Sequence, residues 1–102
     1  MELPFEQDAL DEFEAAAKYI DAECEGHGLL FIDEVKARVA RAARFPRSGV
    51  AIPGIDAERD VRRFGLERFP YSVIIGTVSG RRAVLAVAHM SREPGYWRDR
   101  LK

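Results

Sequence analysis

The segment Ala83–Ala88 is apolar at every position, and this run constrains the fold more than any other feature of the sequence. A strand of this kind must be covered on both faces, so we predict that it is the central strand of a sheet. A β-branched run, Tyr71–Val78, precedes it, and Ser79-Gly80 between the two is suited to a tight turn. Together these segments predict a β-hairpin that pairs Tyr71–Val78 with Arg82–Met90.

Two further strands are predicted around this hairpin. One runs from Asp60 to Glu67, with Phe64 and Leu66 on the same face, and the corner Arg68-Phe69-Pro70 ends it. A short N-terminal strand near Leu3-Pro4-Phe5 is also possible, and Pro4 would restrict it to an edge of the sheet. Residues 47–58 carry turn residues and are predicted to form a loop.

The first half of the chain has the periodicity of two helices. From Ala9 to about Glu25, the apolar residues recur three or four positions apart, which predicts one buried stripe. Acidic residues, including Glu12, place negative charge near the positive end of this helix dipole. A second helix is predicted from about Leu29 to Arg44, and the short connection implies an antiparallel hairpin. The stripe of the first helix is Leu10, Phe13, Ala17, Ile20 and Cys24.

The order of elements predicts the fold class. Helices followed by a meander of strands indicate an α+β fold, and the length of 102 residues suits a single domain over residues 1–102. We expect the antiparallel helical hairpin to pack on one face of a small, mainly antiparallel sheet of three to four strands. A short helical tail is expected to reach Lys102.

Charge is divided unevenly along the chain. Residues 1–34 carry eleven acidic residues and one basic residue (−10), whereas residues 35–102 carry fifteen basic and six acidic residues (+9), which gives the net charge of −1. The basic part could present a surface to phosphates or to an acidic protein. Alternatively, the segregation could disappear once the chain folds.

Several classes of site and location are disfavoured. The sequence has no glycine-rich phosphate loop, and its two histidines and single cysteine lack the spacing of zinc ligands, so neither a metal nor a cofactor is expected. No apolar run approaches the roughly 20 residues that cross a bilayer. The segment Met1–Glu6 lacks the features of a secretory signal, and Cys24 has no partner for a disulfide. We therefore expect a cytoplasmic protein without membrane contact.

The residues most able to bind or catalyse lie near the end of the chain. Arginine pairs with phosphates and carboxylates, and aromatic side chains stack on bases or anchor protein interfaces. If arginines of the Asp60–Glu67 strand lie beside this tail, they form one cationic groove on the sheet face away from the helices. A structural role for the histidine and the aromatic residues is the alternative. The candidate target-binding residues are Arg62, Arg63, Arg68, His89, Arg92, Tyr96, Trp97, Arg98 and Arg100.

The chain resembles a known family over most of its length. The segments Arg68–Ile75 and Val84–Arg100 are similar to the C-terminal half of toxins of the RelE/ParE superfamily, and residues 8–101 are similar overall. The resemblance implies the toxin of a type II toxin–antitoxin pair, encoded in a chromosomal or plasmid operon and neutralised by a cognate antitoxin. It also implies a hetero-oligomer with the antitoxin, in which only the antitoxin contacts operator DNA.

The resemblance leaves the target open. ParE-like members poison DNA gyrase without chemistry of their own, whereas RelE-like members cleave mRNA on the ribosome. A nuclease would need an acid or base and a cation, which Arg63, His89, Arg92 and Tyr96 could supply. Residues 47–70 contain no lysine, so the lysine-rich site of some RelE-like nucleases is missing, and we favour the ParE-like subgroup. A third hypothesis is a domain that has lost toxicity and only binds its partner.

Overall fold

The computed structural model describes residues 3–101, in which two helices precede a four-stranded antiparallel sheet and a C-terminal 3-10 turn. The α+β class, the order of the elements and the helical hairpin predicted from the sequence are confirmed. Lys102, where the helical tail was expected to end, lies outside the described residues. The elements are α1 (Gln7–Glu23), α2 (His27–Arg44), β1 (Val50–Ala51), β2 (Arg62–Gly65), β3 (Tyr71–Val78), β4 (Arg81–His89) and the 3-10 turn Arg98–Arg100.

The turn between the helices depends on two glycines. Gly26 adopts φ 90°, a left-handed conformation that favours glycine. Gly28 sits so close to α1 that a Cβ atom would lie 2.8 Å from the Cβ of Asp21 and 2.9 Å from the carbonyl oxygen of Ala17. Oδ1 of Asp21 accepts hydrogen bonds from the backbone N–H groups of both glycines, at 2.9 and 3.1 Å. These contacts bring the helices into close antiparallel packing.

The end of α1 differs from the prediction. The helix stops at Glu23, and Cys24 has an extended backbone as its C-cap. Cys24 is therefore exposed, and its assignment to the buried stripe is wrong. The stripe itself is confirmed at Ala17 and Ile20, which are buried against the sheet.

The sheet has the strand order β1-β2-β3-β4, with each neighbouring pair antiparallel. The prediction that the Ala83–Ala88 strand is central is wrong, because β4 is the last strand in this order. Its apolar pattern has another cause: α1 covers one face of β4, and Trp97 packs with Leu85 and Ala86 on the other. A strand that is buried on both faces need not be central.

The outer edge of β4 is covered by groups from both ends of the described chain. Val84 donates its N–H to the carbonyl of Pro4 and accepts the N–H of Glu6, at 2.8 and 2.9 Å, and Phe5 forms a parallel bridge with Val84. The N-terminal strand expected near Phe5 is thus a single bridge at the edge. Further along, Arg100 donates to the carbonyl of Leu85, and Glu12 accepts the N–H of Val87.

Two segments differ in extent from their predictions. The expected loop 47–58 contains β1, which pairs with β2 through Val50–Arg63 and Ala51–Arg62. The strand predicted over Asp60–Glu67 is limited to Arg62–Gly65, since Asp60 adopts φ 41°, which is incompatible with an extended strand.

The sheet separates two hydrophobic clusters. The helix-facing cluster joins both helices to β2, β3 and β4, with Phe31, Val35 and Val73 fully buried. The cluster on the opposite face is smaller and contains Ile74, Leu85 and Trp97. Within residues 3–101, neither helix is both long and apolar enough to span a bilayer.

Candidate functional site

A concave site of about 310 Å³ lies on the sheet face opposite the helices. It is formed by β2, β3, the end of β4 and the first part of the tail, by which we mean residues 91–101. The site brings together five of the candidate residues named from the sequence. These are Arg63, His89, Arg92, Tyr96 and Trp97, and the remaining lining residues are Ser72, Ile74, Ala88, Met90, Glu93 and Pro94.

The two arginines of this site are available to a partner. Arg63 is exposed on β2, in register with Ile74 of the neighbouring strand. Arg92 is exposed in the turn that follows β4, and its guanidinium carbon lies 3.8 Å from the centre of the Tyr96 ring. In the described part of the chain, no salt bridge involves either arginine. Two guanidinium groups therefore face the solvent beside an aromatic and apolar floor, as at many protein interfaces.

The hydroxyl of Tyr96 is engaged inside the protein. It donates a hydrogen bond of 2.7 Å to Oε2 of Glu12 on α1. Burial of the phenol, together with this hydrogen bond and the charge of Glu12, raises the pKa of Tyr96 to about 12. The ring lines the site, but the hydroxyl keeps its proton at neutral pH and points away toward the helix.

The imidazole of His89 is held by its neighbours. Its ring packs edge-on against Tyr71 at 4.9 Å between centres, and Tyr71 in turn contacts Phe31 in the helix-facing cluster. Nδ1 accepts the backbone N–H of Ser91 at 2.9 Å, and the hydroxyl of Ser91 lies 2.7 Å away. Because Nδ1 is occupied by Ser91, Nε2 is the ring nitrogen left to contact a partner.

Trp97 attaches the tail to the sheet. Its side chain is 4% exposed and packs in the cluster of Ile74, Leu85 and Ala86. Arg98 is exposed next to it, with its guanidinium carbon 5.7 Å from the indole ring. The sequence left open whether the aromatic residues of the tail bind a target or pack against the sheet. Most of the Trp97 indole packs against the sheet.

Arg100 faces the interior rather than the concave site. Its guanidinium binds the carboxylate of Glu12 through two hydrogen bonds, at 2.9 and 3.0 Å, and donates to the carbonyl of Leu85 at 2.9 Å. Nε lies 3.5 Å from Asp8. The hydrogen bonds with Glu12 are the main reason why the pKa of Arg100 is raised above its ordinary value.

Two further predicted arginines, besides Arg98 and Arg100, lie away from the site. Arg62 pairs with Asp60 at 2.9 Å and donates to the carbonyl of Gly49, so it fixes the loop before β2. Arg68 lies at the β2–β3 corner, where the carboxylate of Glu34 accepts its backbone N–H. The side of this corner facing α2 forms a separate concavity with Arg38 and Arg41. The single groove predicted from the sequence therefore forms only in part.

The residue that sequence reasoning missed is Glu12. Its carboxylate contacts Tyr96, Arg100 and the N–H of Val87, although these groups lie 75 to 88 positions away in the chain. From the sequence, Glu12 was one of several acidic residues near the start of α1. No local pattern distinguishes it from its neighbours.

With this geometry established, the chain can be compared with known proteins. The family model described as "ParE toxin of type II toxin-antitoxin system, parDE" matches residues 3–94. A solved structure from P. aeruginosa, described as a chromosomal ParDE toxin–antitoxin system, is similar with a TM-score of 0.68 and 18% sequence identity. The match covers 87% of this chain and 95% of that one, and at this identity it shows a shared fold. No curated protein sequence is significantly similar to the chain.

Proposed function

Because the chain belongs to the ParE toxin family of type II toxin–antitoxin systems, we propose that it arrests growth by binding DNA gyrase and trapping it on DNA. The observation that carries this proposal is the concave site, where Arg63 and Arg92 are exposed while the hydroxyl of Tyr96 and Nδ1 of His89 already have hydrogen-bond partners within the chain. Such a surface favours binding without chemistry, as expected of a ParE-like toxin.

The alternative, mRNA cleavage on the ribosome, would need a group that moves a proton. The hydroxyl of Tyr96 donates to Glu12 and has a pKa of about 12, and Nδ1 of His89 accepts the N–H of Ser91. A general acid or base works best with a pKa near the operating pH. The phenol of Tyr96 does not meet this condition, which counts against a nuclease that uses Tyr96 as its acid or base.

The proposal is tested with purified toxin in gyrase supercoiling and DNA-cleavage assays. We expect inhibition and an increase in trapped cleavage complexes. Arg63→Ala and Arg92→Ala should each weaken inhibition at least about tenfold if they anchor the interface. Arg81→Ala is the matched control, since Arg81 is exposed at the opposite end of β4 and should leave inhibition unchanged.

Induction in cells separates the three hypotheses. Gyrase poisoning should give filamentous cells with damaged DNA and intact transcripts. Transcripts cut at codon boundaries would instead establish the hypothesis of mRNA cleavage. Loss of this cutting in His89→Ala would then identify His89 as a catalytic residue. Normal growth would establish a domain that has lost toxicity. Unchanged supercoiling in the presence of excess toxin would overturn the gyrase proposal.

We also propose that a cognate antitoxin binds and neutralises the toxin in the cytoplasm, as in other type II systems. The toxin has a net charge of −1, unlike strongly basic DNA-binding domains, so contact with operator DNA is assigned to the antitoxin. The two proteins should co-purify as a hetero-oligomer when expressed together. An operator fragment should shift with the antitoxin or the complex, and a shift with the toxin alone would contradict this assignment.

A further inference from the structure

Glu12 is the centre of a polar cluster that joins α1 to the tail. Oε2 accepts the hydroxyl of Tyr96 at 2.7 Å and Nη2 of Arg100 at 2.9 Å. Oε1 accepts Nη1 of Arg100 and the N–H of Val87, each at 3.0 Å. We call these four groups the Glu12 cluster. One carboxylate thus connects the first helix, the edge strand and the tail.

The cluster is shielded from water. The side chains of Glu12 and Arg100 are each 18% exposed. Burial by itself would raise the pKa of Glu12, but the hydrogen bonds from Arg100, Tyr96 and Val87 outweigh it and lower the pKa below its ordinary value. Glu12 is therefore ionised at neutral pH. Removing one member of a shielded ion pair is costly because it leaves the other charge unpaired.

Tyr96 connects the cluster to the concave site. Its hydroxyl is fixed by Glu12, and its ring supports the guanidinium of Arg92, 3.8 Å from the ring centre. Arg100 lies over the same ring at 5.2 Å. A cationic group held on an aromatic ring has less freedom than one on an open surface. Tyr96 thus contacts Glu12 through its hydroxyl and Arg92 through its ring.

We propose that Glu12 is a positioning residue for target binding, which fixes the Tyr96 ring and thereby holds Arg92 at the concave site. The proposal rests on the proposed function in that the target is taken to bind at this site. Glu12 itself faces away from the target and acts only through Tyr96.

The first experiment measures the tail without any target. Hydrogen exchange of the tail amides, including those of Arg98 and Arg100, is compared between wild type and Glu12→Gln. We expect exchange in the tail to rise at least about tenfold, while the amides of β3 remain as protected as before. Glu14→Gln is the matched control, since Glu14 is an exposed acid on the same helix. Unchanged exchange in Glu12→Gln would overturn the proposal.

The second experiment asks whether Glu12 acts through Arg92. Gyrase inhibition is measured for Glu12→Gln, Arg92→Ala and the double variant. We expect each single change to weaken gyrase inhibition about tenfold. The double variant should inhibit as strongly as Arg92→Ala alone, because the effects of two residues that act through one another do not add. Additive losses would indicate a merely structural role and would overturn the proposal, as would full inhibition by Glu12→Gln.

A second variant distinguishes loss of the contact between Glu12 and Tyr96 from general misfolding of Glu12→Gln. Tyr96→Phe removes the hydroxyl that Glu12 binds but keeps the ring, so it should loosen the tail and weaken inhibition in the same direction. Tyr96→Phe with wild-type exchange and wild-type inhibition would also overturn the proposal. If wild-type toxin does not inhibit gyrase, the proposed function fails, and the exchange measurement alone then decides whether Glu12 fixes the tail.

Discussion

The two faces of the sheet are built in different ways. The helix-facing side buries residues of both helices and of three strands, and its aromatic rings follow one another from Phe5 through Phe13 and Phe31 to Tyr71. On the opposite side, Trp97 is the large anchor of a small cluster. Tyr96 and Leu101 of the same tail pack against this cluster, and the polar Glu12 cluster also holds the tail. We therefore expect the helix-facing side to act as a scaffold and the opposite side to loosen without unfolding it.

The largest effect should follow from opening the helix-facing core. Phe31 is fully buried and contacts the rings of Phe13, Phe69 and Tyr71. Phe31→Ala should lower the free energy of unfolding by about 3 to 5 kcal/mol, through lost burial and the cavity left behind. Urea denaturation followed by circular dichroism measures this. A loss below about 1 kcal/mol would show that this face is not the scaffold.

Trp97→Ala should cost less, even though the side chain removed is larger. We expect the tail to detach locally, which limits the loss to the free energy that docks the tail, about 2 to 3 kcal/mol. The same denaturation measurement checks this, with Phe45→Ala as the control because Phe45 is 48% exposed. A loss as large as that of Phe31→Ala would mean that both faces unfold as one unit.

Acid should loosen the tail before the scaffold. The pKa of Glu12 is lower in the folded protein than in the unfolded chain, so its contribution is present above the ordinary pKa and is lost as the pH falls through the lowered one. Trp97 is the only tryptophan, so its fluorescence reports the tail, while circular dichroism reports the helices. We expect the fluorescence change to come first on acidification. This prediction is contradicted if the fluorescence and circular dichroism transitions coincide, or if Glu12→Gln shows the same separation between them as the wild type.

Alkali should produce a smaller, local change. The pKa of Tyr96 is raised to about 12, so the contribution of its neutral hydroxyl is complete below the ordinary value of 10 and is lost as the pH rises through about 12. Titration of phenol absorbance should therefore include a late step that is absent from Tyr96→Phe. If the variant and wild type titrate alike near pH 12, the hydroxyl is not held as described.

The smallest effect is expected at Arg98. This side chain is exposed, with its guanidinium carbon 5.7 Å from the centre of the Trp97 ring, so Arg98→Ala should change the free energy of unfolding by no more than about 0.5 kcal/mol. Urea denaturation is again the measurement. A larger loss would mean that the contact between Arg98 and the indole contributes to docking of the tail.

The helices and β3 of the scaffold could be predicted from the sequence, because the patterns that indicate them involve residues close together in the chain. The spacing of Ala17 and Ile20 on α1 and the β-branched run of β3 each depend on nearby residues. The place of β4 was harder to predict, since an apolar run indicates two covered faces and not where the strand lies in the sheet. The Ala83–Ala88 segment is covered on both faces, although β4 is the edge strand of the sheet.

The candidate site was only partly predictable, because some of its contacts join residues that are distant in the sequence. Residue type marked Arg63, Arg92 and Arg100 alike as possible contacts, yet Arg100 is internal. What separates them is Glu12, whose pairing with the tail depends on the path of the whole chain. Residue type alone cannot indicate which of several arginines will meet a carboxylate 88 positions away.

The covered edge of β4 has a consequence for association between copies of the protein. An open strand edge invites pairing with other chains. Here the N–H of Glu6 covers the edge at Val84, while Arg100 of the tail covers the carbonyl of Leu85. Detachment of the tail would leave this carbonyl open, so we expect variants with a loosened tail to self-associate more readily than the wild type.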